Sequence, residues 1–312
     1  MYAVINVALP VFAIMAAGYL CGRLRVLGPD GTVALNGFVF YMALPALFLV
    51  SMANAPVSEI FNGPYLASII GGQLALFGVA IIIATFVFPG RLGELGQHGL
   101  SSIFSNTGYM GIPLLITAFG EMGAMPAIIA TVINGALIMA FGIAILELDR
   151  SENSHILGIA KDVAFGVLKS PLVIAALLGI SISALGLSLP TPVETFLNLA
   201  GAAAAPAALF AMGLFLVGQS LKADIKEVGW VVFLKLIIHP LITWWLATMV
   251  LNLSPLYAAS AVIMAALPTG GLIFILSERY NVYKERAAGI ILISTVLSIV
   301  TISALLSYYV PV

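Results

Sequence analysis

The sequence predicts an all-α polytopic membrane protein of ten transmembrane helices, built as two inverted five-helix repeats whose fourth and ninth helices are broken and cross. Three observations carry that prediction. Ten apolar stretches have spanning length, the cationic residues fall in alternate connections, and prolines, glycines and polar residues recur at an offset of 161 or 162 positions. Composition frames all three. Of 312 residues, 62% are apolar and 8% charged, with a mean hydropathy of +1.16, against about 25% charged in an average soluble domain. So few charges do not cover the surface of a soluble protein of this size. A net charge of −1 gives no basic field for nucleic acid. Cys21 stands alone, which excludes a disulfide framework or a cysteine metal cluster.

A bilayer core about 30 Å thick needs roughly 20 helical residues. That ruler gives α1 (2–22), α2 (32–53), α3 (64–88), α4 (97–119), α5 (125–146), α6 (171–189), α7 (193–219), α8 (228–251), α9 (256–277) and α10 (286–309). α1 lacks a charged leader and a cleavage motif and is expected to be a retained span. The longest polar stretch, 147–162, joins the halves and has room for a short interfacial helix before Pro171. The expected organisation is a first repeat over 1–147, a cytoplasmic linker over 148–170 and a second repeat over 171–312.

Orientation follows from the cations. Arg23, Arg25, Arg91, Arg150, Lys161, Lys169, Lys222, Lys226, Arg279, Lys284 and Arg286 all fall in alternate connections, while the others carry Glu59, Glu121 and Glu194. The positive-inside rule puts the basic connections in the cytoplasm and both termini outside. The repeat is read from four matches: Pro10 on Pro171, Pro45 on Pro206, Gln73 on Lys235, and Thr107-Gly108 on Thr269-Gly270. Five helices is an odd number, so the second copy runs inverted, and α4 and α9 meet from opposite sides.

α4 and α9 look least like ordinary spans. α4 carries Asn106, Thr107, Gly108, Tyr109, Gly111 and Pro113, and α9 carries Pro268, Thr269, Gly270 and Gly271. Proline removes a backbone donor and glycine weakens a helix. Broken helices persist at that depth only where protein or a wet cavity satisfies the freed backbone. Two half-helix N-termini brought together offer amides and positive dipole ends to a carboxylate. Close helix packing is the plainer use of the same residues. Lys235 either offsets an anionic substrate or snorkels toward the cytoplasm. His239, one turn on, reads as a helix-packing hydrogen bonder. Asn134 either faces the crossing or links helices, and Ser51 is a further candidate for the cavity wall. All but His239 make up the candidate substrate-binding set.

SNTGYMGIPLL (105–115), AALPTGGLIFILSERYNVY (265–283) and FYMALPALFLVSMA (40–53) resemble the fourth-, ninth- and second-helix motifs of the auxin efflux carrier family, and the likeness runs over essentially the whole chain. The resemblance implies a carrier, expected to export small organic anions such as carboxylates. It implies a scaffold and homodimer contact from α1, α2, α6 and α7, and an elevator-like transport domain from α3–α5 and α8–α10. Asn106 matches the family asparagine beside the crossing, and Pro113 and Pro268 match its crossover prolines. The short linker looks bacterial, which implies a multi-pass protein of the inner membrane. Plant members carry charges in the third helix where this chain has only Gln73. Their glutamine after the ninth-helix proline is Thr269 here.

Other classes fit less well. No catalytic motif and no pair of intramembrane acids points to an enzyme, and no metal or cofactor is expected. A sodium-coupled carrier of the bile-acid symporter type has a similar architecture but normally places acids near the crossing, and the spans here are expected to lack buried acids. An anion channel is the remaining alternative.

Overall fold

The computed structural model describes residues 4–150, 165, 168–218 and 224–310. Most of the predicted linker, the interfacial helix expected within 147–162, and Lys161 and Lys222 lie outside the described residues. Among the described residues the protein is helical, with one isolated pair of extended residues, Ser105 and Thr269. Helices occupy every predicted range: α1 (4–23), α2 (29–54), α3 (Gly63–Val87), α4 (92–119), α5 (124–150), α6 (Pro171–Ala184), α7 (Thr191–Phe215), α8 (Ile225–Val250), α9 (255–280) and α10 (Lys284–Tyr309). Seven helical stretches are long and apolar enough to cross a membrane, with 107–150 counted as one; α6 and the first half of α9 are shorter apolar helices.

The ends follow from local chemistry. Asn62 caps α3 by accepting from the Tyr65 amide at 3.0 Å, and Asp224 caps α8 by accepting from the Lys226 amide at 3.0 Å. α6 and the first half of α9 start on Pro171 and Pro255, whose missing N–H costs nothing in a first turn. α9 ends at Asn281, held at φ +54° in the left-handed conformation that asparagine tolerates.

Prolines inside the helices have a common solution. The wide π-turns 4–8, 39–43, 107–111 and 234–238 each end two residues before a proline, namely Pro10, Pro45, Pro113 and Pro240. A proline ring collides with the carbonyl one turn back and donates nothing to it. Widening that turn relieves the collision and lets the helix continue, as π-bulges do elsewhere. Pro206 accompanies a bend instead, at Ala203 in the middle of α7.

Packing sorts the helices. α1 runs along the second half of α7, and α6 along the second half of α2. At the first of these contacts a side chain at Gly18 would run into the Phe210 carbonyl, and one at Gly213 into the Met15 carbonyl. Only glycine allows backbones so close. α3 packs against α4 and α8, α4 against α5, and α8 against α9 and α10.

Candidate site at the crossing of two broken helices

α4 is split into Leu92–Ile103 and 107–119, and α9 into Pro255–Ala266 and Leu272–Tyr280. Each break strands carbonyls at the end of one half-helix and amides at the start of the next. The breaks satisfy one another. The Asn106 amide donates to the Pro268 carbonyl at 2.9 Å, and the Gly270 amide to the Phe104 carbonyl at 3.0 Å. The Thr269 hydroxyl donates to the Ser101 carbonyl at 2.7 Å, and the Ser294 hydroxyl receives the Thr269 amide at 3.1 Å. The approach requires small residues. A Cβ on Gly111 would stand 2.6 Å from Met264 Sδ, and one on Gly270 would stand 3.0 Å from the Phe104 ring.

Polar side chains gather on one side of this splice. Gln73 Nε2 donates to Asn134 Oδ1 at 2.6 Å, and Asn134 Nδ2 lies 3.3 Å from both the Ser105 carbonyl and the Thr107 hydroxyl. The Lys235 ammonium is fully buried; it donates to the Ala265 carbonyl and to Ser105 Oγ at 2.8 Å, with His239 Nδ1 at 3.3 Å. A cavity of about 10 Å³ lies between them, lined by Gln73, Ser105, Thr107, Asn134, His239 and Thr243 with apolar neighbours. That is room for one water molecule, and far less than a carboxylate needs. Gln73 Oε1 and Thr243 Oγ1 are buried there without a protein partner.

The predicted residues therefore separate. Thr107 and Asn134 line the cavity. Asn106 is 5% exposed and stands at the start of the second half of α4 without a side-chain capping bond, and its side-chain amide nitrogen has no partner. Gly108 lies against Thr131 of α5 and, farther off, Leu44 of α2, and Gly271 faces Phe215 of α7. Tyr109 is partly exposed in the same turn as Gly108. Gly111, Gly270 and Thr269 serve the splice itself. Pro268 lies in the α9 break and supplies a carbonyl to it, whereas Pro113 lies inside the second half of α4, beyond the break at 104–106. Lys235 points at the half-helix ends and is not part of the cavity wall. Ser51 is half-buried in α2 and away from the cavity. Gln73, Ser105, His239 and Thr243 complete the polar wall. Ser105 and Thr243 gave no signal in the sequence beyond being polar within a span.

One expectation is corrected. The spans were expected to hold no buried acid, yet Glu227 is 3% exposed. α8 starts three residues earlier than predicted, at Ile225, and its first turn packs under α4 and α10. Glu227 Oε1 accepts from His98 Nδ1 at 2.8 Å and from the Tyr283 hydroxyl at 2.6 Å, and Oε2 meets Arg286 Nε at 3.0 Å. Burial and the adjacent Glu227 carboxylate push the Tyr283 hydroxyl well above its ordinary pKa, so it stays a proton donor in this cluster. Among the described residues no group of three or more His, Cys, Asp or Glu side chains is placed to hold a metal ion.

The membrane transport protein family matches residues 3–306. A protein of Rhizobium meliloti (strain 1021) named "Putative malonate transporter" is 30% identical over 305 residues, covering 96% of this chain and 94% of that protein. The "Uncharacterized transporter YfdV" of Escherichia coli (strain K12) is 26% identical over 309 residues, with 94% and 93% covered. "Auxin efflux carrier component 8" of Arabidopsis thaliana is 24% identical over 340 residues, with 91% of each covered. With its helical architecture and its two spliced breaks, the chain belongs to the membrane transport protein family, the family of the auxin efflux carriers.

Proposed function

We propose that this protein is a secondary carrier that exports small carboxylates of the malonate class across a bacterial cell membrane. In this reading all ten helices span, as two inverted five-helix repeats, with both termini outside the cytoplasm. α1, α2, α6 and α7 form a scaffold that holds two copies together. α3–α5 and α8–α10 move against it as a unit and expose the crossing to each side in turn. The separate packing of α1 with α7 and α6 with α2 supports that division.

The observation that carries the reading is Asn106. Its side-chain amide is buried without a partner at the N-terminus of a half-helix that runs over 107–119. A buried donor left unpaired costs roughly 1–3 kcal/mol, and a helix N-terminus favours negative charge. A carboxylate docked there answers both. The neighbouring cavity holds only one water and is not lined by Asn106, so in this reading the crossing opens before a ligand reaches the asparagine, as alternating access requires.

The test is a melting-temperature screen of detergent-purified protein against mono- and dicarboxylates, indole acids, amino acids and neutral analogues. A ligand that binds the folded state raises the melting temperature by mass action. Stabilisation by a small carboxylate, and its disappearance in Asn106→Ala, is the expected result. Stabilisation by neutral compounds alone would reject the anion reading.

A further inference from the structure

Lys235 is the one cation among the described residues that lies fully buried, and none of their carboxylates forms an ion pair with it. Its partners are of another kind. Ala265 lies in the last turn of the first half of α9, where the carbonyls have lost their intrahelical donors. The amide that would reach the Ala265 carbonyl if the helix continued is that of Thr269, and it donates to Ser294 Oγ instead. The Lys235 ammonium takes its place. Ser105, the second partner, lies two residues beyond Ile103, the last residue of the first half of α4. His239 Nδ1 stands 3.3 Å away, and the tautomer protonated at Nε2 would complete a set of three acceptors for the three donors of an ammonium.

Each helix C-terminus carries about half a negative charge. Two half-helices that end together therefore call for a cation. In carriers built from discontinuous helices, such ends and unwound carbonyls hold the coupling sodium ion or proton. On the matching side, 162 positions earlier, stands Gln73, a neutral amide tied to Asn134. Among the described residues Lys235 is thus the one lysine or arginine side chain at the crossing, and it is covalently attached.

We infer that the Lys235 ammonium is a tethered cation in the seat of a coupling ion. The protein works without sodium, and removing the ammonium uncovers a small-cation site at the Ala265 carbonyl and Ser105 Oγ. The ion-binding part stands apart from the carrier reading, and only its consequence for transport rests on it.

The experiment follows the melting temperature of the full-length protein, without substrate, as sodium chloride replaces choline chloride at constant ionic strength. Wild type is expected to show no sodium-specific change. Lys235→Ala is expected to melt lower in choline and to regain several degrees with sodium. Lys235→Met, which fills the space with apolar atoms, is expected to show no such recovery. Sodium-specific stabilisation of wild type, or folded Lys235→Ala that ignores sodium, would overturn the inference. If Lys235→Ala does not fold in choline, the wild-type titration and purification of the variant in sodium decide the matter. Recovery of folded variant in sodium supports the seat, and failure in both salts counts against it. Absence of carboxylate binding in the same preparations would sink the substrate reading while leaving this result untouched.

Discussion

Two buried clusters in this protein handle charge in opposite ways. Where the beginnings of α4, α8 and α10 meet, Glu227 is surrounded by His98, Tyr283 and Arg286, so a negative charge meets a positive one and two hydroxyl or ring donors. At the crossing, Lys235 meets a carbonyl, a hydroxyl and a ring nitrogen but no acid. The first cluster is electrically closed and ties three helices to one another. The second holds a basic side chain with no acid partner beside two helix breaks, where the buried amide nitrogen of Asn106 also lacks an acceptor. A paired buried charge reads as architecture. A charge held only by dipoles leaves a field that an anionic ligand can complete.

Glu227→Ala gives the sharpest way to break this contrast. It leaves the buried His98 ring and Tyr283 hydroxyl without their acceptor, at roughly 1–3 kcal/mol each, and releases Arg286, whose side chain is 36% exposed. The variant should lose most of its thermal stability in detergent, with a matching loss of folded yield. A variant that melts like wild type would show that the cluster is not structural. Lys235→Met comes next and should affect ligands more than folding. With an effective dielectric of about 20 and a separation of roughly 8 Å, one charge pair is worth about 2 kcal/mol. A dicarboxylate should therefore lose about twice the binding free energy that a monocarboxylate loses, measured by isothermal titration on purified protein. Equal losses would reduce Lys235 to a packing role. The smallest effect is expected at Arg91, whose side chain is 58% exposed and lies 3.5 Å from Asp149. Arg91→Ala should change stability by less than about 1 kcal/mol, since a solvent-facing pair belongs to neither kind of cluster.

Much of this was legible in the sequence, because the bilayer imposes a length on each helix and glycine and proline punctuate the chain. The ten predicted ranges all hold helix. The location of the α4 break was not legible. Asn106, Thr107, Gly108, Gly111 and Pro113 marked the region without fixing the point: the π-turn over 107–111 absorbs Pro113, and the chain opens at 104–106. Gly111 is needed for the approach of Met264, a tertiary demand invisible to local reading. Lys235 stood out as a charge at depth, but its direction did not, because the Ala265 carbonyl becomes free only when α9 breaks. Glu227 looked like an ordinary acid at a helix start. Its burial comes from α4 and α10, which arrive from 129 and 56 residues away in sequence.

The central claim is that a carboxylate docks at the crossing through Asn106, and counterflow in proteoliposomes tests it most directly. Vesicles preloaded with unlabelled malonate should accumulate labelled malonate with wild-type protein. Asn106→Ala, reconstituted at equal density and with an unchanged melting temperature, should need about 10- to 100-fold more substrate for the same exchange, the loss of one hydrogen bond to a charged ligand. Exchange by Asn106→Ala at the wild-type concentration dependence would contradict the account and move the binding site away from the crossing.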